Sequence, residues 1–431
     1  MKKILFIIPY IPYPLNSGGN QAFFNMVDYL RHQMEVSLLL CAFSSRDEEN
    51  ITRLKEIWPD VSFYVFRRRS QFEALKPKLK HPRYYRWLEK VGNSVSRKMR
   101  RQVIQVEDHT RNMSVLPNSL FSDFEYGYVD YVGKVSRQGF DMIQVEFYEL
   151  VALGYILPKE VDTIFVHHEL RYVRNENELS LFKERSLEDE LHFRVAQDFE
   201  RGALKAFKYI IALTEVDRKL LIDFLGREDR IFASPAVVHF KASKTLQFEP
   251  AIDHRFTFVG YGYHYPNVDA VLWFCREIAP CLRKHHFKFK LQVLGEGYAS
   301  YEAQLKKQCP EVEFLGYVDD LKPVLLSSVA LVPIRIGSGM RMKILDMISL
   351  GIPFITTSKG VEGIQLQHGQ DCLMADTAED IAQSMIQLAG DQELQRNLVR
   401  SAHARLDSLY KPQEMLEKRW QVYQQICQGA V

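Results

Sequence analysis

The stretch Pro333-Ile-Arg-Ile-Gly337-Ser338-Gly339-Met340-Arg341-Met-Lys343-Ile-Leu-Asp346-Met347 decides how the second half of this chain folds. A short apolar strand, Val329–Pro333, runs into a Gly-Ser-Gly turn, and a helix over 341–350 follows. A helix N-terminus presents unpaired backbone N–H groups and about half a positive charge. Arg341 and Lys343 oppose that dipole, an odd choice for a first turn unless a dianion such as a diphosphate binds there. The plainer alternative is that both are solvated surface residues. One turn on, Asp346 is placed to accept two hydrogen bonds from ribose hydroxyls. It would serve equally as a solvated residue or as the partner of an i,i+3 ion pair with Lys343.

The pattern repeats outward from this turn. Upstream, Phe256–Val259 reads as a strand before Gly260-Tyr261-Gly262, Asn267–Ile278 as a helix, and Lys290–Leu294 as a strand ending in Gly295-Glu296-Gly297. Val312–Leu315 is another strand, with a helix from Asp320. Pro353–Thr357 is a strand, with helices over 378–388 and 393–406 behind it. The first half has its own series: Lys3–Ile8, a helix over 21–31, then strands Glu35–Cys41, Val61–Phe66, Asp141–Val145, Thr163–Val166 and Tyr209–Leu213. The polar, aperiodic segment 240–253 reads as a linker. Alternating strands and helices on both sides of it predict an α/β chain of two doubly wound parallel-sheet, Rossmann-like domains facing across a cleft. The boundaries drawn from this are 1–243 for the first domain, 244–405 for the second, and 406–431 for a terminal helix. Ligands collect outside the carboxyl ends of parallel strands. Two such ends in the first half are polar: Gln144-Val145-Glu146 and His167-His168-Glu169.

Composition narrows the class. The 431 residues are 46% hydrophobic and 26% charged, ordinary globular make-up that excludes disorder and disulfide scaffolds. No apolar run approaches the ~18 residues of a membrane span, and no signal peptide is read at the N-terminus. The six cysteines are scattered without a CxxC, which fits reduced cytoplasmic thiols and no metal site. Net charge is +2, so the chain as a whole is no nucleic-acid binder by charge. The segment 67–101 is the exception, with thirteen Arg and Lys against two Glu, interleaved with Tyr84, Tyr85 and Trp87. It reads as a surface for anionic lipid, or as an insertion packing on the acidic stretch 176–200. Nucleic acid is the weakest reading, since no binding motif accompanies it.

The run 256–406 resembles the nucleotide-sugar-binding half of glycosyltransferase family 4, retaining enzymes of GT-B fold. The matching pieces are Phe258-Val-Gly260 with Pro266-Asn267; Val293-Leu-Gly295; Phe314-Leu-Gly316-Tyr317-Val318; the Pro333–Asp346 stretch; Leu350-Gly-Ile-Pro353; Thr357-Ser358-Lys-Gly360 with Glu362-Gly363; and His368-Gly369. Their order and spacing carry the resemblance more than any one of them. The first half matches more loosely, through Pro12-Tyr-Pro14 with Gly18-Gly19 and Phe199-Glu200-Arg201. The end of the chain, around Trp420 and Tyr423, resembles the family's helix that crosses back to the first domain.

The resemblance implies a donor site formed by Gly260, Gly295, Tyr317, Val318, Gly337, Ser338, Gly339, Met340 and Asp346. It implies catalytic work by Arg341, Lys343 and one of His167 and His168, and an acceptor side at Gly18, Gly19 and Glu146. Adjacent histidines in extended chain point to opposite faces, so at most one lines the cleft. Gly18 and Gly19 would allow positive φ and close backbone approach. Glu146 and Glu149 are read either as acceptor ligands or as caps of the following helix. Two departures matter. The family carries two glutamates eight positions apart; the later is Asp346 here and the earlier is Ser338. The early Arg and Lys that hold the diphosphate are also absent, and Arg341 and Lys343 stand as replacement donors, Arg as a fork and Lys as a point charge.

The expected function is a retaining transfer of a sugar from a nucleotide-diphosphate sugar to a glycan or lipid-linked acceptor, in surface-polysaccharide or lipid-linked glycan synthesis. The nucleotide sugar is the donor substrate, with no cofactor and no metal. Arg341, Lys343 and the N–H groups of 337–340 would stabilise the leaving diphosphate. The expected location is cytoplasmic, on the inner face of the plasma membrane where 67–101 meets lipid. The alternatives are a nucleotide-sugar epimerase of the same fold and a degenerate transferase acting as a partner subunit. A dinucleotide dehydrogenase is disfavoured because no G-x-G-x-x-G follows the first strand.

Overall fold

The computed structural model describes residues 1–15, 18–67, 116, 124–182, 184–236, 248–252 and 254–429. Two parallel sheets form the chain. The first has seven strands: β1 Lys3–Ile7, β2 Glu35–Ala42, β3 Ser62–Arg67, β4 Met142–Glu146, β5 Asp162–His167, β6 Tyr209–Ala212 and β7 Ile231–Ala233. They lie in the order β3-β2-β1-β4-β5-β6-β7. Side chains alternate across it. Ile4 and Phe6 enter one buried cluster, and Leu5 and Ile7 enter the cluster on the opposite face. A strand buried on both faces reads as an unbroken apolar run, which is why Lys3–Ile7 has no polar alternation.

The second sheet has six strands: β8 Arg255–Val259, β9 Lys290–Leu294, β10 Val312–Gly316, β11 Val329–Val332, β12 Phe354–Thr356 and β13 Leu373–Met374, in the order β10-β9-β8-β11-β12-β13. The expected strands are present with ends shifted by a residue or so. The short edge strands β7 and β13 were not expected; each is too short to show a period. The helix expected over 267–278 starts at Tyr265 and passes through a π segment, Phe274–Ile278. The last helix, Pro412–Gln428, joins both cores: Met415 and Leu416 pack in the second domain, and Val422, Tyr423 and Ile426 in the first.

In each sheet the strand order reverses once, between β1 and β4 and between β8 and β11. A crevice opens at such a reversal, outside the carboxyl ends of the strands. The two crevices of this chain face each other. Of the expected linker 240–253, residues 240–247 and 253 lie outside the described residues, as does the basic segment beyond Arg67. Arg67 itself ends β3 and forks onto Glu48 at 2.6 and 3.0 Å.

Candidate active site

The floor of the site is built by glycines at three strand ends. A side chain at Gly260 would strike the Asn267 amide at 2.6 Å, and one at Gly295, where φ is +132°, would strike the Gly260 carbonyl at 2.3 Å. The Gly295 N–H donates to Gly316 O at 2.8 Å, so the ends of β8, β9 and β10 are drawn together. Tyr261 and Tyr317, each more than half exposed, rim this floor, with Val318 beside Tyr317.

Above the floor stands the helix Met342–Leu350, with Arg341 as its N-cap residue. The Lys343 ammonium donates to Asn267 Oδ1 at 2.7 Å and lies 4.7 Å from the centroid of the Phe258 ring. Lys343 has no carboxylate partner among the described residues. Burial, then the neighbouring Arg341 charge, pushes it down to about 7. The ion pair weighed between Lys343 and Asp346 is not formed. Asp346 keeps its edge in solvent, yet the protein around it displaces enough water to push its carboxyl up to about 6. Arg341 folds back on its own loop, donating to the Ser338 and Gly339 carbonyls through Nη1. Its Nη2 is buried without a partner.

The Gly337-Ser338-Gly339 turn does something the sequence did not disclose: it docks on the first domain. The Ser338 hydroxyl accepts the Leu170 N–H at 2.5 Å, and the Gly337 N–H donates to Asn177 Oδ1 at 3.3 Å. A side chain at Gly339, where φ is +77°, would lie 2.3 Å from the His168 carbonyl oxygen. The Gly339 N–H faces Asp217. Ser338 is therefore buried in the seam between the domains. Two of the N–H groups counted toward a phosphate, those of Gly337 and Gly339, are engaged across that seam in this conformation. Glu169 reaches the same place from the first domain. Burial raises its carboxyl, but Arg174, Arg171, His264 and Arg341 outweigh that and hold it at about 2.

On the first domain the two histidines separate. His167 is buried and bonds Glu200 through Nε2 at 2.9 Å. Glu200 also accepts the N–H groups of Arg171 and Tyr172, so it caps the helix Arg171–Ser180 from below. His168 turns to the cleft, stacked on Phe147 with ring centroids 3.9 Å apart, and bonds Glu146 through Nε2 at 2.9 Å. Phe147 holds φ at +71°, a strained value for a bulky residue, and this sets its ring under His168. Glu146 is thus a partner of His168 and does not cap the 3₁₀ helix Tyr148–Tyr155; Glu149 instead faces Arg171 at 3.6 Å.

Gly18 and Gly19 begin the helix Gly18–Leu30, and Gly19 does not take a positive φ. The pair lies in the first helical turn, so the freedom for positive φ expected there is not used at Gly19. A cavity of about 240 Å³ opens beside Gly19, lined also by Tyr10, Glu146, His168, Met340 and Met342. Both domains contribute to that lining. A larger hollow of about 520 Å³ lies at the seam near Arg218 and Lys418, but Arg218 there is already paired with Glu215 and Glu228. Among the described residues no three His, Cys, Asp or Glu side chains gather as they would around a metal ion, and no helix is long and apolar enough to cross a membrane.

Two facing parallel-sheet domains, strand ends opposed across a cleft and a terminal helix returning to the first domain define the GT-B fold. Residues 253–391, most of the second domain, match the family model for glycosyl transferases group 1. Sucrose-phosphate synthase from Thermosynechococcus elongatus superimposes with a TM-score of 0.64 at 13% identity, over 100% of each chain. HepE of Anabaena, in complex with UDP and glucose, gives 0.61 at 12% identity, over 98% of this chain and 100% of that one. A variant of S. aureus TarM, in complex with fondaparinux, alpha-GlcNAc-glycerol and UDP, gives 0.62 at 12% identity, over 98% and 100%. At these identities the likeness is one of fold. A comparison with curated protein sequences finds no match.

Proposed function

We propose that this protein is a GT-B glycosyltransferase that moves a sugar from a nucleotide-diphosphate sugar to a hydroxyl acceptor with retention. One observation carries the reading most directly. The Gly339 turn packs against the His168 carbonyl, so the start of the helix, through Met340 and Met342, opposes the strand end bearing His168 across one cavity, with Arg341 and Lys343 next to them in the chain. The match of 253–391 to glycosyl transferases group 1 and the UDP complexes of HepE and TarM support a nucleotide sugar in that place.

The chemistry follows from charge. When the glycosidic C–O bond breaks, negative charge grows on the leaving diphosphate. Lys343, which feels the neighbouring Arg341 charge, and the helix N-terminus at Met342 would stabilise that negative charge, with Arg341 beside them. Asp346 would take the ribose hydroxyls, and Tyr261 and Tyr317 would flank the base. His168 and Glu146 face the sugar and the incoming hydroxyl from the other domain. The acceptor is a glycan or lipid-linked glycan, reached on an anionic membrane surface through 67–101, and the transfer needs no metal.

The test is a transfer assay with UDP-sugars and a polyprenyl-phosphate-linked glycan acceptor, with anomeric configuration read by NMR. Retained configuration and full activity in EDTA are expected. Chelator inactivation reversed by magnesium would overturn the metal-free reading, and an inverted product would overturn retention. Sedimentation with anionic vesicles should show binding that fades with salt as charge is screened over ~8 Å. Indifference to such vesicles at low salt would remove the membrane from the proposal.

A further inference from the structure

Gln144 is a wholly buried amide in the middle of β4, where the neighbouring residues are apolar. A buried amide is costly unless its donors and acceptor are met. Here they are met directionally. The Tyr423 hydroxyl, on the returning terminal helix, donates to Gln144 Oε1 at 2.6 Å. Gln144 Nε2 donates to Glu146 Oε1 at 2.7 Å. Glu146 Oε2 receives His168 Nε2 at 2.9 Å. Gln144 and Glu146 are two residues apart on one strand, so both lie on the face covered by the terminal helix. That helix is anchored by Arg419, which donates to Ser234 Oγ at 2.7 Å and to Ser234 O at 2.9 Å.

We infer that Tyr423 and Gln144 are positioning residues that fix the tautomer and ring orientation of His168 through Glu146. The direction of each bond requires it. Tyr423 is fully buried and keeps its proton, and of its two acceptors Gln144 Oε1 at 2.6 Å is far nearer and stronger than Met26 Sδ at 3.7 Å, so the Gln144 oxygen takes the hydroxyl proton. The Gln144 amide must then turn its NH₂ to Glu146. A carboxylate held that way accepts from the histidine, which in the neutral ring puts the His168 proton on Nε2 and leaves Nδ1 as the bare nitrogen. Stacking on Phe147 hinders rotation of the ring about Cβ–Cγ, which would carry Nε2 away from Glu146. The terminal helix thus acts on the site as well as on the fold. The role in transfer rests on the function proposed above; the tautomer does not.

The experiment uses full-length protein labelled with ¹⁵N-histidine, with His168→Gln assigning the His168 signal. Long-range ¹H–¹⁵N correlation reads which nitrogen carries the proton. The wild type should show the Nε2–H form. Gln144→Met keeps the volume and removes both amide bonds, and Tyr423→Phe removes a single oxygen. Each should yield a mixture of tautomers and lower kcat roughly 10- to 100-fold, the range for one lost hydrogen bond to a charged group, with donor KM little changed. An Nδ1–H signal in the wild type would overturn the inference. So would variants that keep the wild-type signal, whatever their rate. Absence of transfer by the wild type would refute the transferase reading, and the nitrogen signature would still decide the relay.

Discussion

Lys343 is a cation held in protein without an anion, and replacing it should make the free protein more stable while weakening its ligand binding. Its ammonium has only the Asn267 oxygen and the Phe258 ring as partners, and its proton affinity falls from 10.5 to about 7. At about 1.4 kcal/mol per factor of ten in proton affinity, that drop costs up to roughly 5 kcal/mol. Water reaching the half-buried group, and the bond to Asn267 lost with it, reduce the gain expected from Lys343→Met to about 2–3 kcal/mol. The sign with pH is fixed. Below about 7 the folded and unfolded chains both carry the proton, and the full cost is present. Between about 7 and 10.5 the unfolded lysine keeps its proton and the folded one has released it, so wild-type stability rises with pH. Thermal melting of Lys343→Met should exceed wild type by at least about 4 °C at pH 6 and converge with it near pH 10. Titration calorimetry should show UDP binding about 10- to 100-fold weaker, because the anion that compensates Lys343 is lost as a partner. Identical melting curves at pH 6, or unchanged UDP affinity, would refute the uncompensated-cation argument.

Arg341→Ala removes a buried unpaired Nη2 donor. It should weaken UDP by about 1–3 kcal/mol and UMP by much less, and equal losses in calorimetry would remove Arg341 from the diphosphate. Asp346 titrates at about 6, so ribonucleotide affinity should fall as pH drops through that value, where the acid loses acceptor capacity. Asp346→Asn should remove this limb and narrow the preference for the normal nucleotide over its 2′,3′-dideoxy analogue; an unaltered preference would place Asp346 outside the ribose site. Gly339→Ala puts a methyl 2.3 Å from the His168 carbonyl oxygen at a φ of +77°. It should part the domains, seen as a larger radius of gyration in X-ray scattering, and reduce transfer at least about tenfold while UDP binding in the second domain persists. Wild-type scattering and rate would show that the seam tolerates the methyl.

Much of the fold was legible because parallel strands buried on both faces are short apolar runs, and their alternation with amphipathic helices admits few topologies. The strands from Lys3 to Thr356 appear for that reason, and the edge strands β7 and β13 escaped because three and two residues carry no period. The glycines at 260, 295, 337 and 339 stood out in the sequence only by their place after strands and through the family resemblance, and the packed strand ends and the domain seam give the reason for them, positive φ or close approach. What sequence order cannot carry is which polar group answers which. Whether His167 or His168 faces the cleft depends on Glu200 lying below one and Glu146 beside the other, 33 and 22 residues away in the chain. Ser338 stands where the family that the chain resembles carries a carboxylate, and only the packed domains reveal that its hydroxyl closes the seam onto Leu170, 168 residues away. Gln144 and Tyr423 are 279 residues apart and look unremarkable where they stand in the sequence. Local pattern dictates which face of an element is buried, because burial of apolar area needs no particular partner. Hydrogen bonds and ion pairs are directional and short, so their partners were chosen only when the two sheets and the returning helix had come together.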